Sequence, residues 1–252
     1  MRKVLFLLLI IASQVTAQSL DSLFVSANEL YKKGKFEEAI SAYKKIESDK
    51  VISSELYYNL GNSYYKLNKV GPSIYYYEKA LQLNPLNEDA KNNLVFAKRL
   101  ALDNIEDLPQ TFIQKLNTSY LQKISYNQWA MVVVLFSFLG GLLFLFYYYA
   151  YSSSKKRLFF ITSMVCFFFL VLSIFITYNQ YNFSQNNKEA IVFAEKTEVR
   201  NAPTLNSEAI FVLHEGTKVI VLDAVDNWKK IKLADGKLGW MISSEIKELE
   251  DF

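Results

Sequence analysis

One histidine, His214, and one cysteine, Cys166, are the whole supply of imidazole and thiol in 252 residues. Cys166 lies in the middle of an apolar run, where a thiol packs as a small hydrophobe. A single cysteine can form neither a disulfide within the chain nor a thiolate metal site. His214 stands just before a Glu215-Gly216 turn, with no second histidine, and reads as a surface or structural group. Nucleophilic catalysis would call for a strained turn such as GxSxG, and the sequence has none. It also lacks a Walker loop, an HExxH helix and a CxxC pair. The expectation is a protein that is not an enzyme and that takes no cofactor and no metal. The net charge of +3 comes largely from the N-terminal residues and a Lys155-Lys156-Arg157 cluster. The remaining chain is near balance, which argues against nucleic acid as a partner.

Chemistry of this kind leaves binding, and the sequence shows what must position it. Trp129–Tyr178 holds two apolar runs, 129–150 and 158–178, each about 20 residues without a charge, enough for a helix to cross a bilayer. The break at 151–157 carries the three basic residues, so it reads as a tight cytoplasmic loop between two membrane helices. Both flanks then lie on the opposite side. Trp129 and Tyr147–Tyr149 stand where interfacial aromatic anchors belong. The first 17 residues have a basic start, an apolar run and Val15 and Ala17 before a cleavage point, the layout of a secretory signal peptide. The two cues give the same orientation.

Between these segments the chain repeats itself. Ser54–Asn87 is one 34-residue period, with Tyr57, Leu60, Gly61, Tyr64, Ser73, Tyr77, Ala80 and Pro85 at marked positions. One period earlier, Leu20–Ser53 has Ala27, Leu30, Gly34, Phe36, Ala39 and Tyr43 at equivalent spacing. This pattern resembles the tetratricopeptide (TPR) repeat, which implies paired helices stacked into an all-α solenoid. A third first helix, Asp89–Leu102, begins on schedule and is expected to cap the array, so the repeats cover 20–102. The resemblance also implies a concave groove lined by recurring first-helix positions. Here these are Phe24, Asn28, Tyr31 and Lys32, then Tyr58, Asn59, Asn62, Tyr65 and Lys66, then Asn92 and Asn93. The core partner set is Asn28, Tyr31, Lys32, Tyr58, Asn59, Asn62, Tyr65 and Lys66. Asparagines can pair with a ligand's backbone amides, while tyrosines supply contact area. Tyr57, Tyr64 and Tyr77 read as packing between helices. The carboxylate-clamp pattern is incomplete, because Phe24 and Asp89 replace its basic positions.

The connector 103–128 carries Pro109 and then apolar residues at roughly helical spacing. It could lie along the membrane surface or pack back on the repeats. After the second span, 179–188 is Asn/Gln-rich and reads as a linker. From there short β runs alternate with turns at Asn201–Pro203, Glu215-Gly216, Asp226-Asn227 and Asp235-Gly236, as in a small all-β barrel. Val199–Pro203, Gly216, Trp228 and Gly239-Trp240 resemble the bacterial SH3 (SH3b) domain over 189–249. Trp240 is expected in its core, and Trp228, after a turn, half exposed as a ligand contact.

The whole order also resembles the TPR proteins of the Bat aerotolerance operon (BatE-type) of Gram-negative bacteria. Asn84–Leu94, Asp103–Phe112 and the SH3b markers carry that likeness. It implies a multidomain protein of the bacterial inner membrane, with TPR and SH3-like domains in the periplasm. It further implies an envelope complex with von Willebrand A-type membrane proteins and an AAA+ ATPase. The leading expectation is a scaffold that binds protein partners through the TPR groove. The alternative is a sensor or tether whose SH3b domain binds peptidoglycan.

Overall fold

The computed structural model describes residues 21–106, 108–109, 111–121, 124–186 and 188–249. The expected signal peptide lies outside the described residues.

Five helices come first among the described residues: α1 (21–32), α2 (Phe36–Ser48), α3 (Ser54–Lys66), α4 (Val70–Leu83) and α5 (Glu88–Lys98). Their starts are set by local chemistry. The side chains of Ser53 and Asn87 accept from the backbone N–H groups of Leu56 and Ala90 at 3.0 Å, capping α3 and α5. Gly34 and its counterpart one period later, Asn68, take φ of 75° and 55° after their helices, a region that glycine and asparagine enter at least cost. Fully buried Ala27, Ala39, Ser63, Ser73, Ala80, Ala90 and Ala97 let neighbouring helices approach closely. Tyr43, Tyr57, Tyr76 and Tyr77 fill the space between them. Helix α5 stops at Lys98, short of the expected Leu102. No partner helix follows directly, and 99–106 runs on as turn, bend and irregular chain.

The C-terminal part is a seven-stranded antiparallel sheet in the order β3-β2-β6-β5-β4-β1-β7. The strands are β1 (Lys188–Val192), β2 (Lys196–Arg200), β3 (Ala209–His214), β4 (Lys218–Val225), β5 (Trp228–Lys232), β6 (Leu238–Ile242) and β7 (Ile246–Glu248). The turn signals read from sequence sit where the chain reverses, with φ of 87° at Gly216, 49° at Asp226 and 90° at Gly236. Val192, Val199, Leu213, Val219, Ile231 and Met241 form its apolar core.

The helices and the sheet form one compact unit, whereas 108–187 forms a second. Strand β1 explains the union. Ala190 and Val192 face the sheet core, while Ile191 belongs to the core of the helices, together with Leu249 and partly buried Phe193. Both faces of β1 are therefore buried, so AIV reads as a continuous apolar run and not an alternating one. The Phe193 ring meets Tyr75 of α4 edge-on at 5.5 Å.

The second unit holds α6 (Phe112–Ser119), α7 (Tyr126–Tyr149) and α8 (Ser153–Asn186). Helices α7 and α8 are long and apolar enough to cross a membrane and leave almost no residue buried. They form a hairpin turned at 150–152, with Lys155–Arg157 in the first turn of α8. Ser163 donates to the Gly140 carbonyl at 3.1 Å, and the rings of Phe136 and Phe169 stack at 5.6 Å. The expected linker at 179–188 is instead the last part of α8, with β1 starting at Lys188. Its polar residues have helical work to do. Gln180 donates to Asn117 of α6 at 3.1 Å, and Tyr181 meets Tyr126 at 5.7 Å. The Gln180–Asn117 bond joins the connector helix α6 to α8.

Candidate functional site

Two identical polar triads organise the face made by α1, α3 and α5. In the first, Asn28 Oδ1 accepts from the Tyr43 hydroxyl at 2.6 Å and from Asn59 Nδ2 at 3.1 Å. In the second, one period later, Asn62 Oδ1 accepts from the Tyr77 hydroxyl at 2.7 Å and from Asn93 Nδ2 at 2.8 Å. Burial pushes the Tyr43 phenol up to about 12, with Tyr31 adding to the effect, and it raises Tyr77 as well. Both hydroxyls thus stay protonated and donate, which fixes each asparagine oxygen toward its tyrosine. Nδ2 of Asn28 and Asn62, and Oδ1 of Asn59 and Asn93, keep donors and acceptors that no described residue takes up. That is the complement of a peptide amide.

The second step opens into a cavity. Tyr31, Tyr58, Asn62, Tyr65 and Lys66 line a cavity of about 240 Å³, joined by Tyr77, Asn93 and Phe96. Asn28 and Asn59 lie at the first step, outside that cavity, and Lys32 sits on the surface with Glu29 2.8 Å away. Of the expected partner residues, Tyr31, Tyr58, Asn62, Tyr65 and Lys66 share the cavity, while Asn28, Lys32 and Asn59 lie outside it. Sequence reasoning assigned Tyr77 to packing alone. It is fully buried, yet its hydroxyl holds the groove's Asn62. Phe96 was not anticipated. It is 51% exposed, with the Arg99 guanidinium 5.4 Å from its ring. An exposed aromatic one turn from the end of a helix is weak sequence signal. Lys66 is exposed, and no carboxylate pairs with it among the described residues.

On the sheet, Trp228 is half-buried and pairs with Ile242, while Trp240 pairs with both Lys230 and Arg200. Trp240 is not core. The strand alternation sends Gly239 and Met241 inward and leaves Leu238, Trp240 and Ile242 on the opposite face, with Trp228. Arg200 is fixed below them by the carbonyls of Leu205 and Ser207.

His214 is structural. Its Nδ1 lies 2.8 Å from Asp103 Oδ1, and its backbone N–H donates to Asp103 Oδ2 at 2.7 Å. Burial works against the Asp103 charge, but hydrogen bonds from Thr217 and His214 hold its carboxyl below the usual range. Cys166 is buried in the hairpin. Among the described residues no group of three or more His, Cys, Asp or Glu side chains could hold a metal ion.

Two family models match the chain. The tetratricopeptide repeat model covers 54–87, from the first residue of α3 to the N-cap of α5. The bacterial SH3 domain model covers 195–247, from the residue before β2 into β7. Comparison with curated proteins gives no match. The chain therefore contains a TPR repeat, a bacterial SH3 domain and two apolar helices of membrane-spanning length.

Proposed function

We propose that this protein is a scaffold or adaptor of the bacterial envelope. A TPR solenoid holds a protein partner in its groove, a two-helix hairpin anchors it in the inner membrane, and the SH3b domain adds peptide or cell-wall contact. The single observation that carries the reading is the Asn–Asn–Tyr triad repeated at one-period spacing beside the aromatic cavity. Tyr58, Tyr65 and Phe96 supply contact area, Asn62 and Asn93 pair with amides, and Lys66 favours an acidic stretch. The protein acts by binding; it is not an enzyme and uses no cofactor. The packing of the chain before and after the hairpin into one unit supports a topology with both flanks on the same side of the membrane. The basic start of α8 favours a cytoplasmic hairpin tip, with the two domains in the periplasm. The likeness to the Bat-operon TPR proteins points to von Willebrand A-type membrane proteins as partners.

The second reading is peptidoglycan binding by the sheet face that carries Trp228 and Trp240. It is favoured by the placing of two indoles and Lys230 on one exposed-side register. A photo-crosslinking residue at Tyr65 or at Trp228, in the full chain in its own membrane, separates the two. Protein adducts from position 65 support the scaffold. Adducts confined to position 228, and to cell-wall material, overturn it in favour of the tether.

A further inference from the structure

We infer that the β3–β4 turn, His214–Lys218, is a docking element that holds helix α4, and through it the groove, in register. Helices and sheet would then read a ligand as one body. The turn's five residues reach α4 or the segment that follows α5. His214 and Thr217 both bond Asp103, which follows α5. Glu215 Oε2 accepts the backbone N–H of Gly71 at 3.1 Å. That contact does work which α4 lacks locally, since Lys69 gives no side-chain cap and the first turn holds no acid. A carboxylate at a helix N-terminus meets unpaired N–H groups and the positive end of the dipole. Gly216 presents bare backbone to the helix: a Cβ there would fall 2.9 Å from Ile74 Cδ1 and 3.2 Å from Val70 Cγ1. Lys218 Nζ lies 2.7 Å from Glu189 of β1 and 3.2 Å from half-buried Glu78, which Lys98 of α5 also pairs at 2.8 Å.

Helix α4 has two duties on two faces. Gly71, Ile74 and Glu78 bear the turn, while Tyr77 reaches the groove and fixes Asn62. The Glu78–Lys98 pair ties α5, and with it Asn93 and Phe96, to the same point. Loosening the turn removes the cap of α4 and one partner of the Glu78 carboxylate. Both supports of the second triad then weaken together. Only the link to ligand reading rests on the groove proposal; the coupling itself stands on these contacts.

The test is amide hydrogen exchange on the full chain in detergent micelles, comparing wild type with Glu215→Ala, Glu215→Gln and Lys218→Met. The first and third should speed exchange in α4 and in groove helices α3 and α5 by at least about tenfold, through local opening. Strands β2, β5 and β6 should keep their protection, and Glu215→Gln, which retains an acceptor oxygen, should stay near wild type. If Lys218→Met also unfolds the strands, Glu215→Ala, a half-buried turn residue, decides alone. The inference is overturned if α3 and α5 keep wild-type protection once the turn is loosened, or if Glu215→Ala changes nothing. No ligand enters these measurements, so their failure is distinct from a failure of crosslinking at position 65.

Discussion

Gly61 is the most exacting position in the repeat, and its replacement tests the packing directly. A Cβ added there would lie 2.6 Å from Cδ1, 2.7 Å from Cε1 and 3.1 Å from Cγ of Tyr77. Ordinary contact is near 3.5–4.0 Å, so Gly61→Ala forces the ring or the helix to move by about 1 Å. The ring has little freedom: Tyr77 is fully buried and its hydroxyl is bonded to Asn62 at 2.7 Å. Ser73 Oγ further ties the two helices by donating to the Gly61 carbonyl at 3.0 Å. Overpacking of this kind costs about 1–3 kcal/mol, and Gly61→Leu should lie at or above the top of that range. For a domain in this size class the lowering of Tm is roughly 2–4 °C per kcal/mol, so Gly61→Ala should fall by roughly 2–12 °C. The full chain in detergent can be melted under far-ultraviolet circular dichroism, with Tyr77→Leu added to Gly61→Ala as relief. The double variant should lose less than the sum of the singles, because the two side chains share one space. An unchanged Tm for Gly61→Leu would refute the close approach of α3 and α4.

Partner capture by the full chain should fall roughly ten-fold or more with Asn93→Ala, since losing one buried hydrogen-bonding group costs about 1–3 kcal/mol, and the Lys66→Glu loss should shrink as salt rises. If both folded variants capture like wild type while Trp228→Ala fails, the groove is not the site. Acid should undock the sheet from the helices. Asp103 and Glu78, both worked against by burial, are held below their ordinary 3.8 and 4.5 by hydrogen bonds and by Lys218 and Lys98, so their stabilisation is complete above those values and lost as pH falls through the lower folded ones. Burial alone would lower Lys218, but Glu78 and Glu189 raise it above 10.5, so its share persists below that value and fades only in stronger base. Melting should thus lose stability on the acid side only below about pH 4.5, and an acid-side loss already complete at pH 5 would contradict this assignment. For topology, a cysteine at Lys155 should react with an impermeant thiol reagent only from the cytoplasm, and one at Asn206 only from the periplasm; labelling of both from one side would exclude the hairpin.

Some of this protein is determined by sequence alone, because the deciding physics is local. Run length and absence of charge set the two membrane-length helices, and a 34-residue spacing of small and aromatic residues sets the repeat. Gly216, Gly236 and Asp226 mark turns because positive φ restricts which residues fit. The groove was half legible: periodicity finds the face, but only packing shows that its cavity opens at the second step, with Tyr77 and Phe96 in the lining. Trp240 was misjudged since core and surface positions differ only by strand register, which pairing decides. The end of α8 looked like a polar linker because its partners, Asn117 and Tyr126, lie on other elements. The docking turn was least visible of all. Its bonds join residues 111 and 144 positions apart, so Glu215 carries no local sign that it caps α4, and lone His214 no sign that it grips Asp103. Such contacts exist only once the chain on both sides of the hairpin has folded into one unit. That union is the tertiary decision that brings Glu215 to α4 and His214 to Asp103.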